Sequence, residues 1–287
     1  MLVPVMSSMC EKVLNPRDYA RLIPNPAADA NKFSRGRLLV VAGSEQYPGA
    51  AILSSLAAAR SGAGYVTLAT PKPIVSIAQT NLLTVPVVGL PADDRGGLAL
   101  RASVDVLELM KRADALVIGP GLGSSAQTAE LVRYLVKQSP LPIVLDADGL
   151  NAFEGHTEEL RHAIPPLILT PHMGELERLG AIEELASDRH IVVAKGPTTR
   201  VSNGTEIIND DTGPSSLATA GTGDVLAGVI GALLCQGLEP MSAAVLGVHI
   251  HSTAAILATE VLTSCCMMAT DVIEYIPQAV RHIKEST

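Results

Sequence analysis

Short runs of aliphatic and β-branched residues, each closed by glycine or proline, alternate along this chain with longer Ala- and Leu-rich stretches. The first pair is "RLLVVAG" followed by "YPGAAILSSLAAARSGAG". The unit recurs as "YVTLATP" with "IVSIAQTN", "TVPVVGL" with "LRASVDVLELMKR", "ALVIGPGLG" with "AQTAELVRYLVKQ", and "PLILTPHMG" with "ELERLG"; "LPIVLDADG" and "HIVVAKG" add two more apolar runs. Strands that are apolar throughout, rather than at every second position, are buried on both faces, which predicts a parallel sheet with helices on either side. Past Lys195 the texture changes. In "TTRVSNGTEIIND" an Asn-Gly pair separates two β-prone runs, a hairpin signal, and from Ala220 to the end the chain reads as three helices. No linker-like segment or fixed-period repeat interrupts the series. The pattern predicts an α/β fold, a doubly wound and mostly parallel sheet in a three-layer α/β/α sandwich. It forms one domain over residues 1–287, with a Pro-, Asn- and Asp-rich leader at 1–30 that holds one short helix.

Composition sharpens this picture in two places. Hydrophobic residues make up 47% of the chain but aromatics only 2%, and tryptophan is absent, so the core is built from Ala, Val, Leu and Ile and its helices pack closely. The net charge of −8 argues against the basic stripe of a nucleic-acid surface. An anionic ligand would instead be held by glycine loops, helix N-termini and a few basic residues. The four cysteines show no C-x-x-C spacing, the N-terminus lacks a signal peptide's basic start and sustained apolar run, and "VLAGVIGALL" is about half a membrane span. These features lead to the expectation of a soluble, cytoplasmic protein.

Ligands of doubly wound sheets bind outside the carboxyl ends of the strands, and the segments that follow the predicted strands carry most of the suggestive chemistry. In "AGTGDVLAG", Gly221 and Gly223 let backbone N–H groups turn toward one point, where the following helix adds its partial positive charge. Asp224 is there either a base, taking the proton from a hydroxyl that attacks a terminal phosphoryl group, or the N-cap of a helix starting near Val225. The glycines of "GPGLG" stand at 119, 121 and 123, which does not match G-x-G-x-x-G; they suit a loop that a ligand approaches closely. Asp146 and Asp148, with Asn151 beyond, could organise magnesium through water, or Asp148 could cap a short helix. His172 and Glu175 share a face of a first helical turn, with no second histidine spaced for zinc. Lys195, Gly196, Thr198 and Thr199 form either a phosphate loop or a tight turn with a surface lysine. His249 and His251 read as satisfied core or interface histidines, and Cys235 as buried and inert.

In their order, "GSEQYPGAA", "GPGLG", "LDADGLN", "LTPHMGE", "KGPTT", "ATAGTGDVLAGVIGALLCQG" and "MMATDVIEYIPQAV" closely resemble the ADP/ATP-dependent NAD(P)H-hydrate dehydratases of the ribokinase-like superfamily, from about Ala28 to Ile283. The resemblance implies a ribokinase-like fold and a lyase running on kinase machinery. The added hydroxyl of the S epimer of hydrated NAD(P)H is phosphorylated by ADP or ATP, and phosphate then leaves to restore the coenzyme. It implies Ala50, Gly123, His172 and Asp224 as substrate contacts, with Asp224 the base. Lys195, Gly196, Pro197, Thr198, Thr199 and Gly223 would bind the nucleotide, and Glu175 would organise Mg2+ through water. It further implies a homo-oligomer, a tetramer, working beside a separate epimerase, since no epimerase domain is expected within these residues. Pro214 stands where the family usually has Asn. The rival reading is a vitamin-precursor kinase of the same superfamily, of the hydroxymethylpyrimidine, hydroxyethylthiazole or pyridoxal type.

Overall fold

The apolar runs become strands of one ten-stranded sheet in a computed structural model that describes residues 10–286. They are β1 (Cys10–Lys12), β2 (Arg37–Val41), β3 (Tyr65–Pro71), β4 (Val87–Leu90), β5 (Ala115–Ile118), β6 (Ile143–Leu145), β7 (Leu167–Leu169), β8 (His190–Ala194), β9 (Thr199–Ser202) and β10 (Glu206–Asp210). Their spatial order is β1-β10-β9-β8-β7-β6-β5-β2-β3-β4. Strands β2 to β8 run parallel, and β9 is antiparallel to both neighbours as the hairpin signal requires.

Side chains alternate across this sheet into two separate cores. On β2, Leu38 and Val40 enter one while Leu39 and Val41 enter the other, which is why that strand is apolar after its first residue, Arg37. Helices Pro48–Arg60, Thr222–Cys235, Pro240–Leu262 and Ala269–Glu285 cover the first face. Helices Ser103–Met110, Ala126–Gln138 and Met173–Leu179 cover the second. Helix Pro240–Leu262 is long and apolar enough to cross a membrane, but 72% of its most apolar window is buried inside the fold, as in a core helix.

The scarcity of aromatics shows as close backbone approach. A Cβ at Gly228 would lie 2.2 Å from the Ser54 carbonyl oxygen, and one at Gly231 would lie 2.4 Å from Val117 Cγ2. Gly228→Ala therefore forces helices Pro48–Arg60 and Thr222–Cys235 apart. We expect a loss of about 1–3 kcal/mol, read as a lower urea midpoint with an unchanged slope.

Part of the stretch read as a leader packs into the fold. Helix Pro16–Leu22 starts with an Asn15–Asp18 capping box, and Tyr19 stacks on His249 with centroids 3.7 Å apart. Strand β1, which "CEK" gave no reason to expect, pairs in parallel with β10. Residues 1–9, where a signal peptide's basic start would stand, lie outside the described residues.

Strand β2 lies third from the β4 edge, and the chain leaves it toward β3 and β4 on one side and β5 to β8 on the other. That reversal makes the carboxyl ends of β2 and β5 the topological switch point, the usual ligand position in such a sheet. The two loops there are tied together: the Gly43 N–H donates to the Pro120 carbonyl, and Ser44 Oγ donates to the Gly121 carbonyl, each at 2.8 Å.

Candidate active site

Helix Thr222–Cys235 begins at this end of the sheet with an unusual N-terminus. Its N-cap is Gly221, at a left-handed φ of 93°, and no side chain caps it. The first-turn N–H groups and the helix dipole are thus left facing the site, the arrangement that holds an anion. Asp224 lies inside the first turn, two residues past the helix start, so it is not the N-cap. Among the described residues its carboxylate accepts no hydrogen bond. Burial above all, then the negative charges of Asp146 and Asp148, push its pKa up to about 7 against the opposing pull of Lys195.

The cation that faces it comes from the end of β8. Lys195 Nζ lies 2.7 Å from Asp146 Oδ1, and the hydroxyl of Thr170 donates to the same oxygen at 2.7 Å. Burial acts to lower the lysine's pKa, but the carboxylates of Asp146, Glu175 and Asp224 outweigh it and raise the pKa, so the ammonium stays charged. A Cβ at Gly223 would stand 3.3 Å from this ammonium. The lysine is therefore no surface turn residue: it sits where an anion on the helix N-terminus would also meet a positive charge.

His172 and Glu175 form the capping box of helix Met173–Leu179. His172 Nδ1 accepts the N–H groups of Gly174 and Glu175, while Glu175 Oε2 accepts the His172 N–H at 2.8 Å. Nδ1 being an acceptor, a neutral His172 carries its proton on Nε2, which is 3.5 Å from Glu175 Oε1. The ring is largely exposed and the glutamate is buried.

Asp148 neither caps a helix nor stands free. It opens the short helix Asp148–Asn151, and its Oδ2 accepts the Gly123 N–H at 2.8 Å while Oδ1 accepts from Asn151. Asn151 in turn accepts from Arg178 at 2.8 Å, so a chain of hydrogen bonds joins the "GPGLG" loop to the helix of His172. The backbone is held tightly here. Ala147 takes a φ of 49°, which is costly for a residue with a Cβ, and a Cβ at Gly119 would fall 1.8 Å from the Asp146 carbonyl oxygen.

On the far side of Lys195 a cavity of about 760 Å³ opens between β9 and the helices Thr222–Cys235 and Pro240–Leu262. His172, Lys195, Gly196, Pro197, Thr199 and Gly223 all line it; Thr198 is exposed and does not. Ala50 and Gly123 lie instead at the β2–β5 switch point, where Gly121 abuts both Ala50 and Tyr47. Asp224 stands at the junction, next to cavity-lining Gly223 and facing both Lys195 and the Asp148 that holds Gly123. The structure thus groups the motif residues into the cavity wall and the switch-point loops, with Asp224 adjoining both.

The donors fit a metal only through a ligand. Among the described residues no three His, Cys, Asp or Glu side chains converge, and Asp146, Asp148 and Glu175 already accept protein hydrogen bonds. A magnesium ion here would be carried on nucleotide phosphates and water, its common mode.

Comparison with known proteins gives this arrangement its context. A family model described as NAD(P)H-hydrate dehydratase matches residues 38–278. The chain belongs to the NAD(P)H-hydrate dehydratase family. It is 41% identical over 268 residues to the bifunctional NAD(P)H-hydrate repair enzyme Nnr of Salinibacter ruber, covering 87% of this chain and 49% of that protein. The chain thus spans about half the length of the curated relatives it matches first. A shorter dehydratase relative, the ADP-dependent (S)-NAD(P)H-hydrate dehydratase of Xanthomonas campestris, is 35% identical over 82% of this chain and 84% of its own length. The structure of the Bacillus subtilis ADP/ATP-dependent NAD(P)H-hydrate dehydratase co-crystallised with ATP/Mg2+ superposes with a TM-score of 0.78 at 25% identity, over 94% of this chain and 97% of that one. A hydroxyethylthiazole kinase from Pyrococcus horikoshii shares the fold at a TM-score of 0.57 and 18% identity, over 92% of each chain, so the rival kinases are distant within the same architecture.

Proposed function

We propose that this chain dehydrates the S epimer of hydrated NAD(P)H, consuming ADP or ATP. The observation that carries this reading is Asp224: a half-buried, uncommitted carboxylate at an uncapped helix N-terminus, between a nucleotide-sized cavity and the loops at the sheet's switch point. The nucleotide's terminal phosphoryl group rests on the N–H groups at Gly223 and beside Lys195. The substrate hydroxyl, held near Ala50, Gly123 and His172, gives its proton to Asp224 and attacks that phosphorus. The bond to the nucleotide breaks, releasing AMP from ADP. Phosphate, a far better leaving group than hydroxide, then departs with the C–O electron pair, and loss of a ring proton restores the double bond. Magnesium on the phosphates, steadied by Glu175 through water, would spread their charge as the phosphoryl group transfers.

On this reading the protein acts in the cytoplasm as a homotetramer beside an epimerase activity, which supplies the S epimer from its partner. Support for that partnership is the bifunctional name of the longer relatives. The test is to supply hydrated NADH with magnesium, with and without ADP, and follow the returning dihydronicotinamide absorbance. Nucleotide-dependent recovery with one AMP and one phosphate per coenzyme supports the proposal. A stable phosphorylated product from a vitamin precursor, with no recovery of coenzyme, assigns the chain to the kinases instead.

Asp148 offers a finer check. Asp148→Asn keeps an acceptor for the Gly123 N–H but removes a negative charge that faces Asp224. We expect the acid limb of the kcat/KM profile to move to lower pH with substrate KM held. Asp148→Ala also frees the loop and raises KM.

A further inference from the structure

Two thiols that the chemistry above does not use stand next to each other in the connection between helices Pro240–Leu262 and Ala269–Glu285. Cys265 and Cys266 are both exposed and free. The connection is short and anchored at each end. Thr263 closes the first helix at a left-handed φ of 68°, costly for a residue with a Cβ, and the Cys266 N–H donates to the Thr263 carbonyl at 3.3 Å. Met267 follows at once, 3% exposed in the core, and the Met268 N–H donates to Asp271 Oδ2 at 2.7 Å.

Ala269, the first residue of the second helix, joins this turn to the candidate active site. Its Cβ would lie 3.1 Å from a Cβ at Gly221. Gly221 is the left-handed N-cap that leaves the first-turn N–H groups facing the anion. Only Met267 and Met268 separate Cys266 from Ala269, and both Met267 and Ala269 are buried, so the chain between the thiols and the N-cap has little slack.

We propose that Cys265 and Cys266 are a redox-modification site: a low-molecular-weight disulfide converts them to a disulfide with each other, and closing that ring shifts Ala269 against Gly221 and weakens anion binding there. One thiolate attacks the small disulfide, forming a mixed disulfide and releasing one thiol. The neighbouring thiolate then attacks the protein sulfur of that bond and releases the second. The two cysteines lose two electrons and two protons, and the reagent gains both. The peptide between them fixes their Cα atoms about 3.8 Å apart, nearer than the roughly 4.4–6.8 Å that a relaxed disulfide spans. Closure therefore has to twist the turn, and an exposed disulfide closed under strain is the labile kind that a dithiol reverses. Cys235 takes no part, since it is buried and that burial pushes its thiol up to about 12.

The test uses the full chain carrying Cys10→Ser, which removes the remaining exposed thiol, before and after treatment with oxidised glutathione and again after dithiothreitol. Mass spectrometry is expected to find the peptide that holds both cysteines lighter by two hydrogens. Calorimetry is expected to show ADP binding at least about tenfold weaker in the oxidised chain, the order of one lost hydrogen bond to a charged group. The melting temperature should fall as well, because a ring between neighbours strains the fold without constraining the unfolded chain. Dithiothreitol restores both. Cys265→Ser and Cys266→Ser, each in the same background, are expected to take up one glutathione on the remaining thiol and to keep the reduced chain's ADP affinity. Glutathione left on the unsubstituted pair, with no ring, overturns the site. A closed ring with affinity and melting temperature unchanged overturns the link to Gly221, and an equal loss of affinity in the two serine variants overturns the role of closure. The affinity measurement rests on the nucleotide reading above: a reduced chain that binds no ADP removes that reading, and ring closure with its melting shift then decides this inference by itself.

Discussion

Asp224→Asn is expected to keep nucleotide binding and to lower turnover by roughly 10²–10⁴, the usual weight of a general base. The amide is nearly isosteric, so the helix N-terminus at Gly221 and the ammonium of Lys195 remain to hold phosphate. What goes is the carboxylate proposed to take the hydroxyl proton, the one there that accepts no hydrogen bond among the described residues. Wild type carries its own pH signature: with Asp224 raised to about 7, kcat/KM should fall about tenfold per pH unit below that value as the base is protonated. Stability follows the same group with the opposite sense. Between the ordinary aspartate value of 3.8 and about 7 the folded chain holds a proton that the unfolded chain has released, so ionising Asp224 destabilises the fold over that window, and the penalty stands in full above it. Turnover near wild type in Asp224→Asn, with hydrated NADH and ADP, would falsify the assignment of the base.

Lys195→Met should be costly twice. Asp146 is buried, its side chain 2% exposed, and loses its cationic partner. Stranding a buried charge in this way destabilises by about 3–5 kcal/mol, and the nucleotide loses its phosphate contact. The double variant Lys195→Met/Asp146→Asn separates the two effects. Chemical denaturation should show most of the stability restored, because no charge is stranded, while ADP affinity stays at the level of the single variant. Recovery of affinity together with stability would mean that Lys195 serves only the fold. In wild type the ammonium's contribution holds throughout the neutral range and fades only as pH climbs through its raised pKa.

Local pattern carried most of the fold into the sequence reading. Helix Ala126–Gln138 occupies the segment its periodicity marks, strand β3 spans "YVTLATP", and the Asn-Gly hairpin forms between β9 and β10. Pattern failed where long-range pairing decides. "CEK" becomes a strand only because the edge of β10 offers it hydrogen bonds. The site divides along the same line. Glycine motifs pointed to Gly221, Gly223 and the helix behind them, yet Asp148 was read as a metal organiser or a cap because its partner, Gly123, is 25 residues away. As a lone motif Lys195 reads equally as part of a phosphate loop or as a surface lysine of a tight turn, since its partner Asp146 lies 49 residues upstream. His251 reads from the sequence as a satisfied core or interface histidine. It is buried on an apolar helix as that reading requires, but only the packed structure shows that it lines a cavity and that one ring nitrogen lacks a partner.

Strand β2 is synthesised early, but a helix that covers much of one of its faces comes late: a Cβ at Gly231 would touch Leu38 at 3.2 Å and Val117 at 2.4 Å. At about 5–20 residues per second, a ribosome takes roughly 10–40 s to pass from one to the other. During that interval the growing chain displays the part of its aliphatic sheet surface that helix Pro48–Arg60 leaves uncovered, and has no Asp224. Contacts this distant in sequence also slow the search for the native state. The same late helix therefore completes the core and delivers the base, so a nascent or C-terminally truncated chain is at once sticky and inert, and one segment governs both yield and activity.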